Sequence, residues 1–569
     1  MENTEWYKNA VIYQIYPLSF MDANNDGTGD IAGIISRLDY LKELGITAIW
    51  FSPLYKSPNY DYGYDIADYR DIDPRFGTLS DFKELLYECH KRELRVIMDI
   101  AINHTSIEHE WFREALKDKN SPYRDYYIIR EGKKKNGKLY PPTNWDSTFT
   151  GSAWERIDGT EEYYMHLFCV EQADLNWENE KVRKEAADIF NYWLDMGVDG
   201  FRLDVFNMFS KKYPLKDAKK RLAGTGSEFY VDGPRMHEFI KELNERAFSR
   251  NDCYTVGESF SPSSDEAKAY VAKENHELDT IFDFNHLASD NIANAKFFKK
   301  PFSLIKFKEG LFKPQIDNFG KGWNTLVLEN HDNPRSVSRF GIDTGKYRYE
   351  AATFLPTITF LGFGTPFIYM GEEIGMTNAW FETIDDCKDP VSHFIYNLLS
   401  GYGVPKKLAM NFVRYGARDH SRVPMQWDDS TNGGFNKGAK TWQCMNNNVA
   451  EINVQKDMTG EKSIFRYYQK VISLKKTNEA AIYGKPALYY AKDRQIVCFT
   501  RTLEGGGGLL VFGNFSNKPA KFTISPELMP FAKEEILSNF ESHDVKDGTY
   551  TLRPYEVLVF SSIIKPQVK

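Results

Sequence analysis

Cysteine is scarce: the chain has six in 569 residues, at 89, 169, 253, 387, 444 and 498, with no C-x-x-C pair. Neither a disulfide framework nor a cysteine-built site is expected, and the thiols read as reduced, mostly buried groups of a cytoplasmic protein. Positive charge is not in excess. A formal net charge of -8 leaves no surplus of cations to neutralise phosphates, so nucleic acid is not an expected partner. Long apolar runs are also missing. The most apolar stretch, Thr353 to Met370, is broken by Pro356, Gly362, Gly364 and Pro366 and reads as a helix followed by a strand, not as a membrane span. The stretch Met1 to Trp6 shows no basic segment leading into an apolar one, so no secretory signal is expected there.

What is plentiful is aromatic: 34 Tyr and 40 Phe, within 42% hydrophobic and 27% charged residues. That is the composition of a globular soluble protein, with a good supply of flat faces for stacking. Short apolar runs alternate with longer amphipathic ones. Strands are expected at Val11–Tyr16, Ala48–Phe51, Arg95–Ile100, Gly200–Leu203, Tyr254–Val256, Thr280–Phe284, Asn324–Leu328 and Thr365–Tyr369. Helices are expected between them, among them Ile31–Leu41, Leu79–Arg92, Val182–Met196 and Pro234–Phe248, with Ser463–Lys475 the last. Eight strands apolar on both faces, each followed by a helix, imply a parallel sheet closed into an α/β barrel.

Two regions break the rhythm. From about Thr105 to Asp174 the chain is rich in aromatic, charged and turn residues, including Gly132-Lys-Lys-Lys-Asn-Gly137, expected to be a solvated loop. From about Tyr483 onward, short alternating runs suggest an antiparallel β-sandwich. The expected organisation is therefore a (β/α)8 TIM barrel from 1–104 and 175–482, an inserted domain at 105–174, and a C-terminal domain at 483–569.

In such a barrel the reacting groups belong at the C-terminal ends of the strands. The third strand ends in Asp99-Ile-Ala-Ile-Asn-His104, and the fourth delivers Arg202 and Asp204. These two are two residues apart, so their side chains leave one face. A guanidinium beside a carboxylate is expected to hold it ionised, as a nucleophile requires, although a structural ion pair gives the same pattern. The fifth strand ends in Glu258, and the seventh leads into Glu329-Asn-His331-Asp332-Asn-Pro-Arg335. Three carboxyls, two histidines and an arginine on one rim suit glycoside hydrolysis with retention. There two carboxyls about 5–5.5 Å apart act as nucleophile and proton donor, and a third carboxylate can stabilise the oxocarbenium-like transition state.

These motifs in this order resemble glycoside hydrolase family 13, the α-amylase family, from about Trp6 to the C-terminus. The resemblance implies Asp204 as nucleophile, Glu258 as general acid/base and Asp332 as stabilising acid. It implies that Arg202 orients Asp204 and that His104 and His331 bind sugar hydroxyls. Asp61 and Tyr64, in Asn59-Tyr-Asp-Tyr-Gly-Tyr64, match the residues that cap and stack on the terminal glucose. Arg418, in Ala417-Arg-Asp-His-Ser-Arg-Val-Pro-Met-Gln-Trp427, matches the arginine that pairs with that Asp. A charged wall of this kind implies exo action on small gluco-oligosaccharides or disaccharides.

Within the family the chain looks like the oligo-1,6-glucosidase group of α-glucosidases. Gln172-Ala-Asp-Leu-Asn176 resembles that group's Gln-Pro-Asp-Leu-Asn region, with Ala173 in place of proline. Val205, directly after the nucleophile, resembles enzymes that cut α-1,6 links, where a β-branched side chain narrows the next subsite. Asn333 and Ser259 depart from the residues common in close relatives. Asp22, Asn24, Asp26, Thr28 and Asp30 space oxygen ligands at alternate positions, although Gly33 stands where a full calcium loop has its Glu. The resemblance implies a structural Ca2+ (or Mg2+) there, and no organic cofactor. Glu228 to Arg235 and the Gln-Ala-Asp-Leu-Asn form also resemble trehalose-6-phosphate hydrolases, which makes that activity the alternative. Sucrose isomerase, or a catalytically dead glucosidase-like binding protein, fits less well. A monomer with no membrane partner is expected.

Overall fold

The computed structural model describes residues 5–149, 151–221, 224–250, 252–260, 264–292 and 295–562. Met1 to Thr4, part of the N-terminal stretch read above, lie outside them. Eight short strands carry the fold: β1 (Ile12–Ile15), β2 (Ala48–Phe51), β3 (Arg95–Ile100), β4 (Gly200–Leu203), β5 (Tyr254–Glu258), β6 (Thr280–Phe282), β7 (Thr325–Val327) and β8 (Thr365–Tyr369). They form one parallel sheet in the order β6-β5-β4-β3-β2-β1-β8-β7, the sheet of a (β/α)8 TIM barrel. β1, β2, β4 and β8 are buried along their whole length. That is why each reads as a continuous apolar run.

The chain divides into two compact units, one made of 1–5, 50–91 and 95–282, the other of 6–49, 92–94 and 283–569. In the first, β4 pairs with β3 and β5, and Arg202 stands level with Asp99 on one side and Val256 on the other. Gly200 is required there: a Cβ would lie 2.5 Å from the Tyr254 carbonyl oxygen. The helix Glu180–Met196 that feeds β4 is capped by Asn179 and ends at Gly197 in the left-handed region (φ 112), as a helix stop should. Residues 105–174 hold a three-stranded antiparallel sheet of Ile129–Glu131, Trp154–Arg156 and Glu162–Met165. The lysine run is a hairpin rather than a loop. Lys133–Lys135 pairs with Lys138–Tyr140 across Asn136 and Gly137, both at positive φ (51 and 73), the turn that an Asn-Gly pair favours.

In the second unit the expected helix over 31–41 is two helices, Ile31–Ser36 and Leu38–Leu44, broken at Arg37. The apolar stretch over 353–370 is the end of the helix Arg348–Phe360 followed by β8. Among the described residues no helix is long and apolar enough to cross a membrane. Beyond Lys485 lie two antiparallel sheets, of five and three strands. Phe512, Phe522 and Phe560 stack in their core. Buried Lys308 ties the helix Leu304–Asn318 to this region by donating to the carbonyls of Tyr490, Asp493 and Ile496.

Candidate active site

In the first unit, three carboxyls share one cation. The Arg202 guanidinium donates through Nη1 to Asp99 Oδ1 at 2.7 Å and to Asp204 Oδ1 at 2.6 Å, and through Nη2 to Glu258 Oε2. Arg202 and Asp99 are buried by β3 and β4, while Asp204 and Glu258 sit where β4 and β5 end. Asp99 is held from its other side by Trp50 Nε1 at 3.1 Å and Tyr64 Oη at 2.9 Å. Its position is therefore fixed, and through Arg202 it fixes the two carboxyls beyond.

The sharing overturns one expectation. Burial pushes the Asp204 carboxyl well above the usual carboxylate range; Glu258 and Asp99 push the same way, and Arg202 only pulls back. Asp99 is raised to about 6, again by burial against the pull of Arg202. A lone Arg–Asp pair would have lowered the nucleophile's pKa, but three carboxyls on one guanidinium cannot all ionise cheaply in a buried setting.

Around this core stand the other residues of the first unit singled out from sequence. The strands His104–Ser106 and Gln172–Asp174 pair antiparallel, with Gln172 opposite Ser106. The Gln172 amide reaches Asp61 Oδ2 at 3.1 Å and His104 Nε2 at 3.0 Å, joining the two. His104 Nε2 also lies 3.2 Å from the Tyr64 carbonyl. Burial lowers the His104 imidazole to about 4, so the ring is neutral near pH 7. Val205 is at φ 37, ψ 39, a left-handed conformation that strains a β-branched residue. It packs in a cluster with Trp145, Phe229 and Tyr230.

In the second unit, Asp332 is surrounded by cations. Arg422 Nη2 donates to its Oδ1 at 2.9 Å and Arg418 Nη1 at 3.2 Å, and His331 Nε2 stands 3.4 Å from Oδ2. Lys296 donates to the Asp332 carbonyl at 3.0 Å. Burial pushes the Asp332 carboxyl up, but His331, Arg418, Arg422 and Lys296 together hold it well below the usual range. Arg418 grips Asp389 with two further bonds, at 2.9 and 2.6 Å. Burial opposes ionisation of Asp389, yet Arg418 holds it at about 2. His331 is set by Gln14, 2.8 Å from Nδ1, and by the Tyr16 ring stacked 6.0 Å away. Not every charged group near β7 is turned to a site: Glu329 accepts from Ser336 N and Oγ and from Arg335, locking its own turn.

Arg422, Lys296, Asp389 and Asp99's third-carboxyl role were not singled out from sequence. Arg422 lies four residues after Arg418 in the motif already quoted, on one face of a short helix, which is a usable signal. Asp389 and Lys296 are far from any motif and carry none.

A model of the alpha-amylase catalytic domain matches residues 14–484. The chain belongs to the alpha-amylase family. It is a glycoside hydrolase, a glucosidase of that family. It is 47% identical over 560 residues to the oligo-1,6-glucosidase of Parageobacillus thermoglucosidasius, covering 98% of each chain. It is 44% identical over 562 residues to the trehalose-6-phosphate hydrolase of Bacillus subtilis (strain 168), again covering 98% of each. The crystal structure of the trehalose-6-phosphate hydrolase of Bacillus licheniformis matches with a TM-score of 0.92 at 42% identity, over 98% of this chain and 99% of that one. The relatives thus divide between two activities at similar identity.

The loop after β1 offers oxygen donors only. Asp22 turns inward, with Oδ1 accepting from Asn25 N at 2.6 Å and Oδ2 from Gly27 N at 2.8 Å. Asp30 accepts from Ala23 N and Asn24 N, each at 3.0 Å, and from Gly33 N at 2.6 Å. Asp26 is exposed and bonded to Thr28 N and the Asn24 amide. These bonds occupy the Asp22 and Asp30 carboxylates with N–H donors, Asn436 Nδ2 among them at 3.0 Å from Asp22 Oδ2, and among the described residues no group of three or more His, Cys, Asp or Glu is placed to hold a metal ion.

Proposed function

We propose that the chain is an exo-acting, retaining α-glucosidase that releases terminal α-linked glucose from small gluco-oligosaccharides, with a preference for α-1,6 links as in isomaltose. Asp204 attacks the anomeric carbon while Glu258 gives its proton to the leaving glycosidic oxygen, leaving a glucosyl ester on Asp204. Glu258, now a carboxylate, takes a proton from the water that attacks this ester and frees glucose. Asp332, held ionised by its cations, stabilises the oxocarbenium-like charge in both steps. His104 and His331 bind hydroxyls of the reacting glucose, Tyr64 stacks on it, and Asp61 and Arg418 cap its non-reducing end. The supporting observation is that Asp204 and Glu258 hang on the two amino groups of one guanidinium. Such sharing holds the two carboxyls side by side, which favours the close pair of a retaining enzyme (~5–5.5 Å) over the wider pair of an inverting one (~6.5–9.5 Å). Val205, strained directly after Asp204 and packed against Trp145, Phe229 and Tyr230, supports the α-1,6 preference.

A second reading, trehalose-6-phosphate hydrolase, is favoured by Lys296. Its ammonium forms no ion pair among the described residues, and burial lowers it to about 8, so a dianionic phosphate would hold it charged. The experiment is glucose release from isomaltose, maltose, sucrose, trehalose and trehalose 6-phosphate. Isomaltose cleaved at least ten times faster than maltose, at equal concentration, supports the first reading. Turnover confined to trehalose 6-phosphate, and lost in Lys296→Met, moves the chain to the second.

We also propose that Asp22, Asn24, Asp26, Thr28 and Asp30 hold Ca2+ or Mg2+ as a structural ion. A cation bound at a hundred times its Kd would add about 2.7 kcal/mol of stability. Chelator should therefore lower the unfolding temperature, and Ca2+ should restore it. Asp26→Ala should remove that response while leaving the kcat at 25 °C within about twofold. An unfolding temperature indifferent to chelator and to Ca2+ would remove the ion from the account.

A further inference from the structure

The turn that follows the nucleophile also grips the strand end that carries the acid/base. Phe206–Met208 is a single 3-10 turn directly after Val205. Within it, the Phe206 ring lies against Gly257, the residue before Glu258: a Cβ on that glycine would sit 2.4 Å from the ring. Asn207 takes the other side. Its side chain, fully buried, accepts from Phe260 N at 2.8 Å through Oδ1 and donates to the Phe260 carbonyl at 3.1 Å through Nδ2. One amide thus replaces a backbone partner for the residue two beyond Glu258, whose own N–H and C=O would otherwise need water. The amide is aimed in turn: Asp232 Oδ1 accepts from the same Nδ2 at 3.0 Å and from Tyr270 Oη at 2.8 Å, and Asp232 N donates to the Asn207 carbonyl at 2.9 Å.

Residues on both sides of Glu258 are therefore fastened to the dipeptide two and three residues past Asp204. We propose that Asn207 is a positioning residue for acid/base catalysis, fixing where the Glu258 carboxyl stands relative to Asp204. It touches neither substrate nor the reacting atoms. The requirement it serves is geometric: a proton donor must be within hydrogen-bond reach of the leaving oxygen, and a displacement of about 1 Å can cost 100-fold. Arg202 and Asp204 both reach the Glu258 carboxyl, but contacts at the tip of the side chain leave the strand end that carries it free to shift. The Asn207 clamp removes that freedom at the backbone.

This inference rests on Glu258 being the acid/base, and the test separates the two. Asn207→Ala and Glu258→Gln are each assayed on isomaltose, whose leaving sugar needs a proton, and on 4-nitrophenyl α-glucoside, whose nitrophenolate does not. For Glu258→Gln, kcat on isomaltose should fall at least 1000-fold more than the kcat of the glucosylation step on the nitrophenyl substrate. For Asn207→Ala the same difference should appear at reduced size, about 30- to 100-fold, with KM for isomaltose changed less than threefold. Equal losses on both substrates, or none, in Asn207→Ala while Glu258→Gln discriminates would overturn the clamp and leave the acid/base role standing. No discrimination in Glu258→Gln would overturn that role and the inference with it. Should Asn207→Ala not fold, Asp232→Ala keeps the Asn207 amide but removes the acceptor that aims it. It should then show the same discrimination, about 10-fold, and its absence there would count against the clamp.

Discussion

Asp204→Ala should abolish turnover, lowering kcat on any glucoside by about 10⁴-fold or more, without a matching loss of sugar affinity by calorimetry. Its two carboxyl neighbours on Arg202 are not placed to substitute for it. Asp99 is the other carboxyl on the same guanidinium, but it is closed off by Trp50 and Tyr64. In the proposed mechanism Glu258 serves as the proton donor. The deleted carboxylate leaves space beside a cation, so azide should enter and restore part of the rate, giving glucosyl azide of inverted configuration. Turnover within tenfold of the parent, or azide product of retained configuration, would remove Asp204 from the nucleophile's role. A protein that still binds sugar and never turned any over would be a binding protein instead.

Arg202→Met should damage both folding and catalysis. The side chain is buried, and its guanidinium bonds Asp99, Asp204 and Glu258 together. Breaking a buried pair by removing one partner costs about 3–5 kcal/mol, because the remaining charge stays buried and unpaired. The cost should depend on pH in a defined direction. Without Arg202 the folded-state pKa values of Asp99 and Asp204, already raised by burial, rise still further above their unfolded values. Their neutral forms are tolerated, so the deficit is small below about pH 4 and is fully developed above neutral pH. Thermal unfolding of Arg202→Met and parent at pH 4.5 and 8 tests this: the gap should widen toward pH 8. A gap that narrows toward pH 8 would mean that Arg202 is not the counter-ion of the cluster. The kcat of the variant should fall by about 10³-fold as well, since both reacting carboxyls lose the group that spaces them.

Much of this was legible in the sequence because barrel strands are apolar on both faces and end abruptly in polar groups. Gly200–Leu203 and Arg95–Ile100 were bounded from composition alone, and the carboxyls at their ends followed from the rule that barrel chemistry sits there. What stayed hidden depends on register and on distance along the chain. That Asp99 shares Arg202 follows from its standing level with it across the β3–β4 pair, which no single strand reveals. The upward shift of Asp204 is hidden for a related reason: two residues suggest an ion pair, and burial, helped by Glu258 and Asp99, outweighs the pull of Arg202. Asp389 reaches Arg418 from the cap of the helix Pro390–Gly401, in a segment with no recognisable motif. The lysine hairpin did have a signal, the Asn-Gly pair at its tip, outweighed by the charge around it. The short strand Glu534–Ser538, half of it exposed, lacks the apolar run that marks its neighbours.

The central claim is that Asp204 and Glu258 act as a retaining pair. The measurement that tests it most directly is the proton NMR spectrum of the glucose released from 4-nitrophenyl α-glucoside, recorded in the first minutes, before mutarotation scrambles the anomers. The α-anomer should appear first, with β-glucose growing in only at the spontaneous rate. Glucose appearing first as the β-anomer would mean single displacement by water and would contradict the covalent intermediate on Asp204.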